Sequence, residues 1–317
     1  MHWRPGAGVE QLRARARLLR VLRAFFEARD ILEVETPLLC ASGVTDPAIE
    51  PLIVASGSAL RAPRYLQSSP EYAMKRLLAA GSGAVYQIAR AFRDGEVGRL
   101  HNPEFTLLEW YRPDFDHHQL MDEVAELVRH CLGERSRRNY PYRELFLDLL
   151  GLDPFTAADA QVEALARDHV EVGDLAGERD LWLDVLMSHV IEPQLADRGM
   201  VFVYDYPASQ AALSRIVEVD DVQVGQRFEL YVDGVELANG YCELGDEAQQ
   251  RRRFVRDNQR RRAAGQVERP IDEYLLAALA HGLPACSGVA LGVDRLLLLA
   301  TGCADIRQVL AFDWART

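Results

Sequence analysis

Apolar residues recur at helical spacing over residues 9–28, where Leu12, Leu19, Leu22, Phe25 and Phe26 alternate with arginines. This predicts an amphipathic helix with a basic outer face. Residues 31–35 then read as a strand, stopped by Thr36-Pro37. A second helix is predicted from Ser69-Pro70-Glu71 onward. Ser69 can accept from early backbone N–H groups, Pro70 suits the first helical position, and Glu71 suits the helix dipole. Two runs rich in β-branched and aromatic residues, 85–92 and 104–111, predict an antiparallel hairpin with a long charged tip. Pro103, which has no N–H to donate, fits the start of its second strand.

Farther along, 116–132 predicts a helix and 145–150 a strand. Thr156 and Asp159 resemble a capping box, with helices expected over 156–168 and 178–197. Residues 200–206 read as a strand ending at Pro207. Asp233-Gly234 is a two-residue hairpin turn that pairs Val232 with Val235 and Tyr231 with Glu236. Glu229 and Glu236 then share a face, diagonally, which is unfavourable unless a cation sits between them. Two carboxylates on one face suit Mg²⁺ held through nucleotide phosphates, although exposed carboxylates are common on any hairpin. Asn239, Tyr241 and Glu243 fall on the other face if the strand is regular.

Residues 246–264 predict a helix carrying Arg251, Arg252, Arg253, Arg256, Arg260, Arg261 and Arg262, expected to be a solvated face or a dock for an acidic partner. Gly288–Gly292 reads as a glycine-spaced strand, followed by a helix aimed at phosphate. The formal charge of −12 argues against a general polyanion binder. Five cysteines without CxxC spacing suggest neither a zinc site nor a disulfide framework. No apolar run has signal or membrane length, so a soluble, cytoplasmic protein is expected. At the tip of the first hairpin, Arg93, His101 and Asn102 beside Phe105 offer a fork for phosphate and a flat face for a base.

The residues from Phe92 to Glu109 follow the pattern FRxxxxxRxHNPEFTxLE, which resembles the second motif of class II aminoacyl-tRNA synthetases of the lysyl type. EVETP at 33–37 resembles the first motif, and Gly288-Val289-Ala290-Leu291-Gly292-Val293-Asp294-Arg295 the third. The resemblance covers nearly the whole chain. It implies an α+β fold, an antiparallel β-sheet flanked by helices, in a single catalytic domain over 1–317. It also implies a homodimer built around Pro37 and the use of ATP and Mg²⁺. Arg93 would bridge the substrate carboxylate and the α-phosphate, with Asp94, Gly95, Leu230 and Gly292 lining the nucleotide. Phe105 and Arg295 would sandwich adenine, His101 and Asn102 would orient the nucleotide, and Glu229 and Glu236 would hold the metal. Arg93 and the two glutamates are expected to converge on one triphosphate. Ser69, Pro70 and Glu71 would receive the amine nearest the carboxylate. Glu109, Tyr111 and Glu243 would receive the distal ammonium, with Asn239 and Tyr241 beside it and Glu236 close by. Bringing Asn239, Tyr241 and Glu243 to that same site requires a bulge or sharp twist near 238–240, where glycine permits it.

The first motif starts so early that no anticodon-reading domain is expected before it, and no tRNA partner. In this the chain is similar to the elongation factor P–(R)-β-lysine ligases, which activate β-lysine and pass it to a lysine side chain of elongation factor P. Ser69 stands where lysyl-tRNA synthetases have Ala, and Ala290 where they have Gly. Gly95 departs from the family's Glu, with Glu96 next to it as a substitute contact. The competing readings are an enzyme passing lysyl-adenylate to another acceptor, and a regulatory relative without catalysis.

Overall fold

The computed structural model describes residues 3–55, 57 and 62–317. They divide into two compact units, 1–114 with 130–132 and 244–317, and 115–129 with 133–243.

In the first unit, helix Val9–Glu27 buries Leu18, Leu22, Phe25 and Phe26, spaced i, i+4, i+7 and i+8. Leu12, expected on that face, is exposed. The strand expected over 31–35 is only Leu32–Glu33, paired in parallel with Val85–Phe92. Phe26 stacks on Tyr86 at 4.3 Å between centroids and meets Trp110 edge-on at 5.4 Å, which fastens the helix to the hairpin. The hairpin strands Val85–Phe92 and Glu104–Pro113 pair from Val85 with Tyr111 to Phe92 with Glu104. Strand Cys286–Gly292 pairs with the other edge of Glu104–Pro113, setting Ala290 opposite Glu109. Helix Val293–Thr301 follows at once. Its buried Asp294 accepts from Thr106 N at 2.8 Å and from Arg15 of the first helix.

The second unit opens with residues 117–129 of helix His117–Leu132, which is started by a reciprocal cap between Asp116 and Gln119. The strand expected over 145–150 is instead part of helix Tyr142–Leu150. Tyr142, Leu145 and Phe146 stand at helical spacing and point into the core, and Gly151, at φ 63°, ends the helix in the left-handed region. The next helix, Asp159–His169, begins later than Thr156, where Gln161 Oε1 accepts from Ala158 N at 2.9 Å. The helix expected over 178–197 is regular only at Arg179–Leu186. It widens over Met187–Ile191 and tightens over Glu192–Arg198, where Pro193 has no N–H for an α-turn. Trp182, Leu183 and Leu186 pack with Val201, Val203 and Tyr231 in one cluster. Strand Val222–Val232 pairs with Val235–Cys242 on one side and Met200–Pro207 on the other, and Arg137–Pro141 runs parallel beyond. Among the described residues no helix is long and apolar enough to cross a membrane.

Candidate active site

Each unit carries its own set of candidate groups. In the first unit Arg93 lies at the end of its strand, and its N–H donates to Pro103 O at 2.9 Å across the hairpin mouth. Its Nε is buried and has no hydrogen-bond partner among the described residues. Its guanidinium sits 5.1 Å from the Phe105 ring centroid and 3.5 Å from Glu96 Oε1. That ion pair is longer than a charge-assisted hydrogen bond, so an orphaned donor and a loosely held cation together fit an anion such as phosphate. Gly95 has φ 77° and its N–H donates to Asp94 Oδ1 at 2.9 Å. The position that departs from the family pattern therefore serves as a left-handed turn.

Arg295 lies 2.7 Å from His101 Nε2 and donates to Leu100 O at 3.3 Å, so the third motif meets the second at His101. Asn102 is committed at both ends of its amide. Nδ2 donates to Glu104 O at 2.7 Å, and Oδ1 accepts from Trp314 N at 2.9 Å. The last turn of the chain is thereby tied to the hairpin.

Around Glu109, which is 2% exposed, several expected groups come together. Ser69 Oγ donates to Glu109 Oε2 at 2.7 Å and accepts from Glu71 N at 3.0 Å. Tyr111 Oη donates to Glu109 Oε1 at 2.7 Å, and Ala290 stands opposite in the register. Pro70 precedes helix Glu71–Ala79, as its fixed φ allows. Lys75, one turn into that helix, donates to Glu71 Oε1 at 2.5 Å and is almost fully buried.

In the second unit the hairpin turn forms as expected, with Asp233 at φ 50° and Gly234 at φ 77°. The expected pairs Val232–Val235 and Tyr231–Glu236 are present. The next pair is Leu230–Ala238, which leaves Leu237 as the extra residue of a bulge. The bulge thus lies just before the 238–240 stretch where it was expected. Its effect on the faces is direct. Arg227, Glu229 and Tyr231 alternate onto one side, and their partners are Tyr241, Asn239 and Glu236. Without the bulge the side of Glu236 would continue as Ala238 and Gly240. With it, Glu236, Asn239 and Tyr241 are half-buried on one face while Leu237, Ala238 and Gly240 are buried. Glu243, two residues on, continues that face and is bridged to Ser214.

Glu229 is nearly fully buried and accepts from several donors. Tyr206 Oη reaches Oε2 at 2.7 Å, Tyr231 Oη reaches the same oxygen, Asn239 Nδ2 reaches Oε1 at 3.3 Å, and Arg227 forms an ion pair with it. Arg227 is the cation that this acidic face requires, and it also donates to Gln210 O at 2.8 Å. Burial, with the negative charge of Glu229 next, holds Tyr206 and Tyr231 well above the ordinary tyrosine pKa, so both remain donors. Among the described residues no cluster of three or more His, Cys, Asp and Glu could hold a metal ion. A pair of carboxylates on one face fits an ion whose other ligands are phosphate oxygens and water. On Glu229 the ion would compete with Arg227 for Oε1.

The chain matches the family of tRNA synthetases class II (D, K and N) over residues 1–315. It belongs to that family. It is 48% identical over 316 residues to the elongation factor P–(R)-β-lysine ligase of Edwardsiella ictaluri, covering 98% of this chain and 97% of that one. Against the enzyme of the same name from Sodalis glossinidius it is 47% identical over 315 residues, again 98% and 97%. Against that of Hamiltonella defensa it is 45% identical over 320 residues, 99% of this chain and 98% of the other.

Within this class II chain the sequence did not single out Arg227, Tyr206, Tyr231 or Lys75. Arg227 and Tyr231 flank Glu229 at strand period, and Lys75 follows Glu71 at helix period, so periodicity could have found them. Tyr206 reaches Glu229 only through strand pairing distant in sequence. The arginine-rich helix, Glu247–Ala263, differs from the solvated face expected of it. Arg253 and Arg261 are buried, and Arg251 and Arg262 pair with Glu273 and Glu268.

Proposed function

We propose that the chain is an ATP-dependent ligase that activates (R)-β-lysine as an adenylate and transfers it to a lysine side chain of elongation factor P. What carries this reading is near-complete coverage of the ligases named above, in a chain whose Ser69, Tyr111 and Glu109 form one hydrogen-bonded set.

In the first step a carboxylate oxygen of β-lysine bonds to the α-phosphorus of ATP and the bond to pyrophosphate breaks. Arg93 binds the α-phosphate oxygens as negative charge accumulates on them, through donors that nothing else occupies fully. Arg295 and Phe105 receive the adenine, and His101 steadies Arg295. Asn102 acts through the backbone it ties together, and Asp94, Gly95, Leu230 and Gly292 contribute backbone around the nucleotide. Glu229 and Glu236 hold Mg²⁺, which when bound neutralises the leaving pyrophosphate.

Glu71 binds the amine nearest the carboxylate through the oxygen that Lys75 does not occupy. Glu109 takes the distal ammonium, its orientation set by Ser69 and Tyr111. Asn239, Tyr241 and Glu243 supply further polar contacts to the substrate. Buried carboxylates of this kind select a cationic side chain, because an uncharged one would leave them uncompensated.

In the second step the neutral amine of the acceptor lysine bonds to the acyl carbon, AMP leaves, and the amine proton passes to solvent. Positioning of the two reactants supplies the rate. The protein works in the cytoplasm as a homodimer and without tRNA. The test is the mass of purified elongation factor P after incubation with the chain, ATP and (R)-β-lysine. The proposal expects the factor to gain one β-lysyl group, and an unmodified factor contradicts it.

A further inference from the structure

The arginine-rich stretch has an internal role that the activity above does not account for. Arg261 is fully buried and Arg269 nearly so, and both form ion pairs with the one carboxylate of Glu50. Arg261 also donates to Asp46 O at 3.0 Å and to Val267 O at 2.8 Å. Asn258 fixes Arg269 from the helix side, donating to Arg269 O and accepting from Arg269 N, each at 2.9 Å. Thr45 Oγ1 donates to Asp257 at 3.0 Å and Gln266 donates to Pro47 O at 3.2 Å. The segment 45–50 is therefore sewn along its length to the helix and its return.

At its other end the same segment reaches the hairpin tip. Glu50 O accepts from Asp94 N at 2.7 Å, one residue past Arg93. Arg93 N donates to Pro103 O on the preceding side. The backbone of Arg93 is thus held on both sides, by the hairpin and by Glu50. A single carboxylate between two buried guanidinium groups has little freedom to move.

We propose that Glu50 is a positioning residue for Arg93: the two buried arginines fix its place, and its carbonyl sets the loop that aims Arg93 at the α-phosphate. The inference rests on the role given to Arg93 above. A residue that aligns a group only for the transition state lowers kcat and leaves substrate affinity alone. A residue that serves the fold alone lowers the amount of folded protein and leaves both constants of the folded fraction unchanged.

The experiment measures pyrophosphate exchange with (R)-β-lysine, thermal melting, and amide hydrogen exchange of the peptide around Asp94. It compares the parent, Glu50→Gln, and a variant combining Glu50→Leu, Arg261→Met and Arg269→Leu. The combined variant leaves no unpaired buried charge, so it keeps a folded protein available if Glu50→Gln does not fold. Folded variants are expected to lose ~10- to 100-fold in kcat, with the KM values for β-lysine and ATP within about twofold of the parent, and to exchange the Asp94 amide faster. Parent kcat in a folded variant, or an unchanged Asp94 amide, overturns the proposal. Arg93→Ala measured alongside separates the two readings. Normal exchange there removes the role of Arg93 itself, whereas lost exchange there with parent rates in the Glu50 variants removes only the role of Glu50.

Discussion

Ser69 donates its hydroxyl to Glu109 Oε2 at 2.7 Å, while Tyr111 donates to the other oxygen of the same carboxylate. Ser69 also accepts from Glu71 N, so one hydroxyl couples the groups assigned to the two amines of the substrate. Ser69→Ala removes that coupling and leaves Glu109 steered by Tyr111. The ratio of kcat/KM for (R)-β-lysine over α-lysine is expected to fall by about tenfold, within the range a small polar group supplies. The pyrophosphate exchange rates with each amino acid measure it, and an unchanged ratio contradicts it.

The bulge at Leu237 is the device that gathers the polar residues of strand Val235–Cys242. Deleting Leu237 restores regular pairing and leaves Asn239, Tyr241 and Glu243 on the face of Glu236, because the bulge already sets that one residue aside. Exchange activity is expected to stay within about tenfold of the parent because these groups keep their positions, and a loss of roughly a hundredfold in the folded variant would contradict it. Replacing Leu237 by Ile keeps the extra residue and should keep most of the activity. Both variants need melting curves beside the rates.

Tyr206 and Tyr231 hold their protons more tightly in the folded protein than in the unfolded chain, because of burial and then Glu229. A pKa raised on folding gives stability that is complete below the ordinary tyrosine value of about 10 and lost as pH rises above it. Melting temperature is expected to fall steeply with rising pH beyond that value. Replacing both tyrosines by Phe should flatten this slope while lowering stability by about 1–3 kcal/mol per lost donor to Glu229. An equally steep slope in the double variant would contradict the assignment.

The arginines of helix Glu247–Ala263 separate into buried and exposed members. Arg261→Ala removes the ion pair of a fully buried guanidinium and its donors to the carbonyls of Asp46 and Val267, at an expected cost of about 3 kcal/mol. Arg252, which is exposed, should tolerate Ala within about 0.5 kcal/mol. Urea denaturation of the two variants checks the contrast.

Much of this arrangement was legible in the sequence where local chemistry decides it. The hairpin 85–92 with 104–111 and the Asp233-Gly234 turn follow from strand period and turn residues, and the register Val232–Val235 follows from the turn. The need for a bulge was legible too, because Asn239 and Glu236 stand on opposite faces of any regular strand. Its place at Leu237 was not, since a bulge is fixed by the fit of both strands. Residues 145–150 misled because Leu145, Leu147, Leu149 and Leu150 satisfy a strand pattern as well as a helix. Tyr142 and Phe146 settle it, burying one helical face against the second unit's core. The burial within the arginine-rich helix was not legible, for the complementary reason. Charge count gives no sign of burial, and the partners of Arg261 lie at Asp46 and Glu50, far away in sequence.

The central claim is that Arg93 stabilises the charge that builds on the α-phosphate. The measurement that tests it most directly is pyrophosphate exchange with (R)-β-lysine by the parent and by folded Arg93→Ala. The account predicts a loss of ~10³-fold or more in kcat/KM, the scale of a removed charge-stabilising donor, with an unchanged melting temperature. Exchange by Arg93→Ala within a few-fold of the parent would contradict it.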